Sequence, residues 1–203
     1  MAGALAEHAV VAKMARAGLA WAGRYLSAAK VGSWCERMTN AIRILGLDPG
    51  LRLTGWGVIS VQGSRLTHVA HGVIKPDDKL SLAERLVILL DGVNAVIDEH
   101  RPDEAAIEET FVNNNPSSTL KLGHARAAAM LAPAKAGLLV AEYAATVVKK
   151  AVVGTGGADK TQVAFMIKRL LPACGDPTAD AADALAVAIC HAHARTARKG
   201  YAA

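Results

Sequence analysis

The feature that most constrains this chain is the run Ile42 to Leu47, an almost wholly apolar stretch that stops on Asp48-Pro49-Gly50. A short apolar run closed by a turn signal reads as a buried strand. The acid at its end is therefore held where water is scarce. Thr54 to Val61 and Leu66 to Ile74 read as two further strands, and Gln62-Gly63-Ser64 between them reads as a hairpin turn. The first three strands are thus expected to form an antiparallel meander. Leu80 to Glu99 carries Leu82, Leu86, Leu89, Leu90, Val93, Val96 and Ile97 at helical spacing, which predicts a helix packed on the sheet. Asp103 to Glu108 reads as a fourth strand, again with an acid at its end. The polar run Asn113 to Ser117 precedes a helix expected to begin near Ser118. Leu138 to Ala141 reads as a fifth strand, and helices are expected from about Tyr143, Asp159 and Thr178.

Three meander strands followed by helix, strand, helix, strand and helices is the order of an α/β, ribonuclease-H-like fold: a five-stranded mixed sheet flanked by helices. Composition agrees with a packed domain. Of 203 residues, 52% are hydrophobic and 20% charged, enough apolar material for a core. No apolar run approaches the roughly 18 residues that span a bilayer. The longest lightly charged stretch, Ala127 to Ala141, is interrupted by Pro133, Lys135 and Gly137, so no membrane role is expected. Cys35, Cys174 and Cys190 are scattered and odd in number, which fits a reducing, cytoplasmic setting rather than a disulfide framework or a zinc ribbon.

The net charge of +5 is uneven, with +3 of it in residues 1–37. That segment is rich in Ala, Gly and Lys/Arg, holds Trp21, Tyr25 and Trp34, and reads as an N-terminal extension, disordered or loosely helical, without a part in the chemistry. Met38 stands just ahead of the first strand as an alternative translation start. Residues 38–195 are expected to form the ribonuclease-H-like domain and 196–203 a C-terminal tail. His191 and His193 read as helix-end or surface residues.

The acids carry the chemistry. Asp48 and Glu108 end two strands expected to be neighbours. Asp180 and Asp183 sit at i and i+3 on the last helix, among Ala179, Ala181, Ala182, Ala184 and Leu185. Four carboxylates drawn together repel one another and need cations. Oxygen donors without His or Cys select Mg²⁺, with Mn²⁺ able to substitute. Two such ions about 4 Å apart suit in-line attack of water on a phosphodiester, one activating the water and the other stabilising the departing 3′-oxygen.

Leu47-Asp48-Pro49-Gly50 followed by Thr54-Gly55-Trp56-Gly57 resembles the first motif of the RuvC family of Holliday-junction resolvases. Ala106-Ile107-Glu108 with Phe111 is similar to the second, and Leu120 to Arg126 resembles the helix that follows. Glu142 to Ala145, Val152-Val153-Gly154 with Asp159-Lys160, and Asp180 to Ala186 complete the set in family order, so the resemblance runs from about Ile42 to His193. It implies a homodimeric, magnesium-dependent endonuclease that resolves four-way DNA junctions by paired, symmetric nicks in recombination and repair, working beside RuvA- and RuvB-type branch-migration proteins. It makes Asp48, Glu108, Asp180 and Asp183 the catalytic, metal-binding carboxylates of a two-ion site. It puts Lys149 and Lys160 near the DNA and an aromatic at Phe111, read as a ring that stacks on an unpaired base at the exchange point. Arg52, Lys121 and Arg126 are expected near the carboxylate edge, as phosphate contacts or, for some of them, as dimer-interface or surface groups. The chain departs from the family at Asn114, where a lysine is usual, at His124 in place of glutamine, and at Ala127 in place of glycine. Both His124 and Ala127 lie in the helix expected at the dimer interface, which Pro133, Lys135 and Gly137 are expected to shorten. The competing classes are an RNA-processing nuclease of the same fold and a non-catalytic junction-binding module. An ATP-using phosphotransferase with a similar first strand would need a second domain that the chain is too short to hold.

Overall fold

The computed structural model describes residues 41–110 and 115–200. The expected extension, Phe111 and Asn114 lie outside the described residues. Five strands, β1 (Ile42–Asp48), β2 (Thr54–Gln62), β3 (Arg65–Ile74), β4 (Glu104–Glu108) and β5 (Leu139–Tyr143), form one mixed sheet in the order β3-β2-β1-β4-β5. The meander is antiparallel, whereas β1, β4 and β5 run parallel. Gly63 makes the β2–β3 turn with a positive φ of 61°, a conformation that suits glycine.

The helices are α1 (Leu82–His100), α2 (Pro116–Lys135), α3 (Ala145–Val153), α4 (Lys160–Leu170) and α5 (Ala179–Gly200). They cover both faces of the sheet. On one face α1 and α2 pack Val93, Val96, Ile97, Ala129 and Ala132 on Leu45, Leu47, Val58, Ala105 and Ile107. On the other, α3, α4 and α5 pack Val148, Val163, Ile167, Leu185 and Ile189 on Ile44, Ile59 and Ala106. Burial on both faces explains why β1 reads as a continuous apolar run. Cys174 and Cys190 are buried and free, and burial pushes the Cys190 thiol up to about 11. Among the described residues no helix is long and apolar enough to cross a membrane.

Local chemistry sets the helix ends. Ser81 and Glu84 form a capping box at the start of α1, and Asp159 and Gln162 form another at the start of α4. Helix α2 begins two residues before the expected Ser118. Asn115 Oδ1 accepts from the amides of Ser117 and Ser118, and Pro116 takes the first helical position, where its missing N–H costs nothing. Nor does Pro133 shorten α2 as expected. The helix runs through it to Lys135 and stops only where Gly137 turns left-handed at φ 76°. A proline in the last turn removes one N–H bond, and this one is buried on the sheet side of the helix. Helix α5 continues to Gly200, past the expected start of the C-terminal tail.

The long, alanine-rich α5 lies directly on the middle of the sheet. A Cβ at Gly46 would stand 2.1 Å from the carbonyl oxygen of Ala184, and one at Gly55 would stand 2.0 Å from that of Asp180. Only glycine leaves room for a helix backbone this close to β1 and β2. The closeness brings the first turn of α5 over the end of β1.

Candidate active site

Pairing of Leu47 with Ile107 puts Asp48 beside Glu108 at the carboxyl ends of two adjacent parallel strands, the usual place for a site in an open α/β sheet. Side chains alternate along a strand. Asp48 therefore shares the face of Ile44 and Gly46, and Glu108 shares that of Ala106, which is the face α5 covers. Asp180 and Asp183 descend onto that edge from α5. The β1–β2 loop is fastened by Thr54, fully buried, whose Oγ1 donates to the Gly50 carbonyl at 2.8 Å and accepts from the Gly50 amide at 3.2 Å.

The four acids sense one another. Burial first, then the charges of Glu108, Asp183 and Asp180, push the Asp48 carboxyl up from 3.8 to about 7, against the pull of Lys160. Burial and Asp183 raise Glu108, opposed by Lys149 and Lys160. Burial also raises Asp183, with Lys160 Nζ 3.6 Å from its Oδ2 acting in the opposite direction. Lys149 on α3 and Lys160 on α4 are thus cations whose charge the cluster feels.

The donor set fits a hard divalent cation: four carboxylates, no Cys or His, three of them raised by burial first and then by neighbouring negative charge. As placed, no three of these groups among the described residues converge tightly enough to form a finished cage. Their association is electrostatic at this spacing, and the residues fit the ion by chemistry and by the strand end they share.

The basic residues divide. Arg52 is 83% exposed and pairs with Asp78 at 3.2 Å. Lys121 lines a cleft whose walls also include Asp180. Arg126 is different: its Nε donates to the Glu108 carbonyl at 3.1 Å, and its Nη2 pairs with Glu142. These bonds tie α2 to the ends of β4 and β5, so its place is behind Glu108 as a positioning residue rather than on the surface as a phosphate contact.

His191 also departs from expectation. It is buried, with Nδ1 2.8 Å from the Tyr143 hydroxyl and Nε2 2.9 Å from Glu104 Oε2. Arg195 Nε donates to the other oxygen of Glu104 at 2.7 Å. Burial pushes Glu104 up, but the bonds and charges of Arg195 and His191 prevail and hold it below its ordinary value. The chain of bonds joins α5 to β4 and to Tyr143, the register partner of Glu108. His193 lies exposed as expected, with Nδ1 3.1 Å from the Ala151 carbonyl.

A family model described as crossover junction endodeoxyribonuclease RuvC matches residues 44–191. The protein of that description from Caulobacter vibrioides is 69% identical over 157 residues, covering 77% of this chain and 93% of its own length. Its counterpart from Rhodospirillum rubrum is 68% identical over 154 residues, 76% of this chain and 91% of its own. Among solved structures, Thermus thermophilus RuvC in complex with a Holliday junction substrate superposes with a TM-score of 0.73 at 31% identity, covering 77% of this chain and 96% of that one. The yeast mitochondrial Holliday junction resolvase Ydc2 shares the fold, with a TM-score of 0.59 at 12% identity. The matched segment reaches every strand of the sheet and all four carboxylates, and the chain belongs to the RuvC family of crossover junction endodeoxyribonucleases.

Proposed function

We propose that this chain resolves four-way DNA junctions by paired, symmetric nicks, with Asp48, Glu108, Asp180 and Asp183 as its catalytic carboxylates. The observation that carries the reading is their arrival from β1, β4 and α5 at one end of the sheet, where burial and then mutual repulsion raise Asp48 to about 7. The family is one of metal-dependent nucleases. Two Mg²⁺ per site, replaceable by Mn²⁺, fit the all-oxygen donor set. When bound they would ease ionisation of the attacking water and offset charge on the departing 3′-oxygen.

The chain's own residues do the rest. Asp48 and Glu108 supply fixed oxygens from strand ends that cannot drift, because both strands are paired on both sides. Asp180 and Asp183 close the site from α5. Lys160, already at Asp183, and Lys149 present positive charge where a scissile phosphate would gather negative charge. Phe111, three residues past Glu108, stacks on a base unpaired at the exchange point.

A homodimer supplies the second nick. Its support is the exposed face of α2, where Leu120 (65% exposed) and Leu131 (59%) align with His124 and Ala127. Residues 38–195 act as the nuclease domain, residues 1–37 are dispensable to it, and the protein works in the cytoplasm with RuvA- and RuvB-type motor partners. The test is a nicking assay on a synthetic four-way junction, linear duplex and single strands, with and without Mg²⁺. Symmetric cuts confined to the junction and dependent on Mg²⁺ are expected. Equal cutting of linear duplex, or of an RNA duplex, contradicts the reading.

A further inference from the structure

Beside the carboxylates lies a cleft of about 830 Å³, lined by Gly50, Leu51 and Leu53 of the β1–β2 loop and by charged groups from that loop and the elements around it. Lys75 follows β3, Arg85 comes from α1, Lys121 from α2, and Arg52 from the loop itself. Two carboxylates, Asp78 and Asp180, face these four cations. Asp180 joins the cleft to the cutting centre.

Arg85 is the odd member. Its side chain is only 13% exposed. Nη2 donates to the Leu51 carbonyl at 2.9 Å and to Asp78 Oδ1 at 3.0 Å. Its Nε is the one buried side-chain nitrogen or oxygen without a partner among the described residues. A buried guanidinium donor left unpaired is costly, and its presence asks for an acceptor. Asp78 meanwhile divides its two oxygens between two arginines, Oδ1 to Arg85 and Oδ2 to Arg52. A phosphate offers the same pattern, two or more anionic oxygens to a guanidinium fork, and more strongly.

We propose that Arg85, with Arg52, Lys75 and Lys121, forms a seat for a non-scissile backbone phosphate of the DNA strand leading to the cutting centre, and that Asp78 bridges the two arginines until DNA displaces it. The seat rests on the junction-nuclease reading above and deepens it. Arg85 grips the backbone without reading sequence, since every phosphate is alike. Its anchorage to the Leu51 carbonyl couples the grip to the loop that follows Asp48. Asp78 discourages weak, adventitious anions, because an incoming group must outcompete a carboxylate already in place.

The experiment measures binding of a fluorescent four-way junction to the full chain in EDTA, by anisotropy, across 50–200 mM salt, beside nicking by the wild type in Mg²⁺. Arg85→Gln is expected to weaken binding roughly tenfold or more. It should also flatten the slope of log K against log salt by about 0.7–0.9, the share of one phosphate contact. Lys75→Gln should flatten the slope similarly with a smaller loss of affinity. Asp78→Asn should tighten binding severalfold. If Arg85→Gln melts much earlier than the wild type, Lys75→Gln and Asp78→Asn decide between the outcomes. Unchanged affinity and salt slope in both of those variants, while the wild type binds and nicks the junction, overturn the seat alone. A wild type that neither binds nor nicks the junction overturns the seat together with the reading beneath it.

Discussion

Replacing Asp48 by asparagine should make the metal-free protein more stable while removing its activity. The carboxyl is raised from 3.8 to about 7, chiefly by burial and then by Glu108, Asp183 and Asp180. A raised acid binds more protons in the folded state than in the unfolded chain, so stability falls as pH climbs from about 4 to about 7. Above that window the ionised group costs the fold roughly 4 kcal/mol at full displacement. Asparagine keeps the shape and discards the charge, so the variant should gain about 2–4 kcal/mol at pH 8 in EDTA, a rise in Tm of roughly 4–16 °C for a domain of this size. Near pH 4 the two proteins should melt together. Added Mg²⁺ should reverse the order by stabilising the wild type through binding, by about 2.7 kcal/mol at a hundredfold excess over Kd, and the variant much less. Calorimetry at pH 4, 6 and 8, with EDTA or Mg²⁺, reads all of this. The variant should not nick junctions yet should bind them as tightly as the wild type or more so, since a negative charge facing phosphates has gone. An Asp48→Asn protein less stable than the wild type at pH 8 without metal would refute the electrostatic reasoning, and substantial nicking by it would refute the assignment.

Three further outcomes are expected. Gly46→Ala should cost about 1–3 kcal/mol or more, because its methyl meets the Ala184 carbonyl and pushes α5 off the sheet; nicking should fall with it, and a wild-type Tm and rate would show that α5 does not depend on this contact. Phe111→Ala should cut junction nicking sharply with little change in Tm, and Phe111→Trp should retain much of the activity; a fall in Tm of many degrees on Phe111→Ala would make the ring a core residue. Removal of residues 1–37 should leave nicking within a few-fold of the full chain, and loss of solubility or dimerisation in that truncation would contradict the extension's dispensability.

Much of the fold was legible because its signals are local. The apolar run before Asp48, the Gln62-Gly63-Ser64 turn and the 3.6-residue spacing of Leu89, Val93 and Val96 each specify an element within a few residues of itself. The four acids were legible for the same reason: a carboxylate stands out among alanines or at the end of an apolar strand. What stayed hidden depends on residues far apart in sequence. His191 looks like a helix-end histidine until Glu104, 87 positions earlier, comes beneath it. Arg126 looks like a free cation until Glu142 is folded against it. The closeness of α5 at Gly46 and Gly55 was equally invisible, since a glycine in a strand does not say which backbone it admits. Arg85 shows no motif at all, and only its buried, unpaired Nε and its place in the lining of the cleft mark it.

Asp48, Glu108, Asp180 and Asp183, from three separate elements, are proposed to hold the ions of one cutting centre. Counting bound Mn²⁺ tests it most directly, by titrating the ion into the protein with its junction substrate and reading free Mn²⁺ by electron paramagnetic resonance. Two ions per chain are expected in the wild type, and at most one in Glu108→Gln or Asp183→Asn. Two ions retained in both variants with unchanged affinity, or none in the wild type, would contradict it.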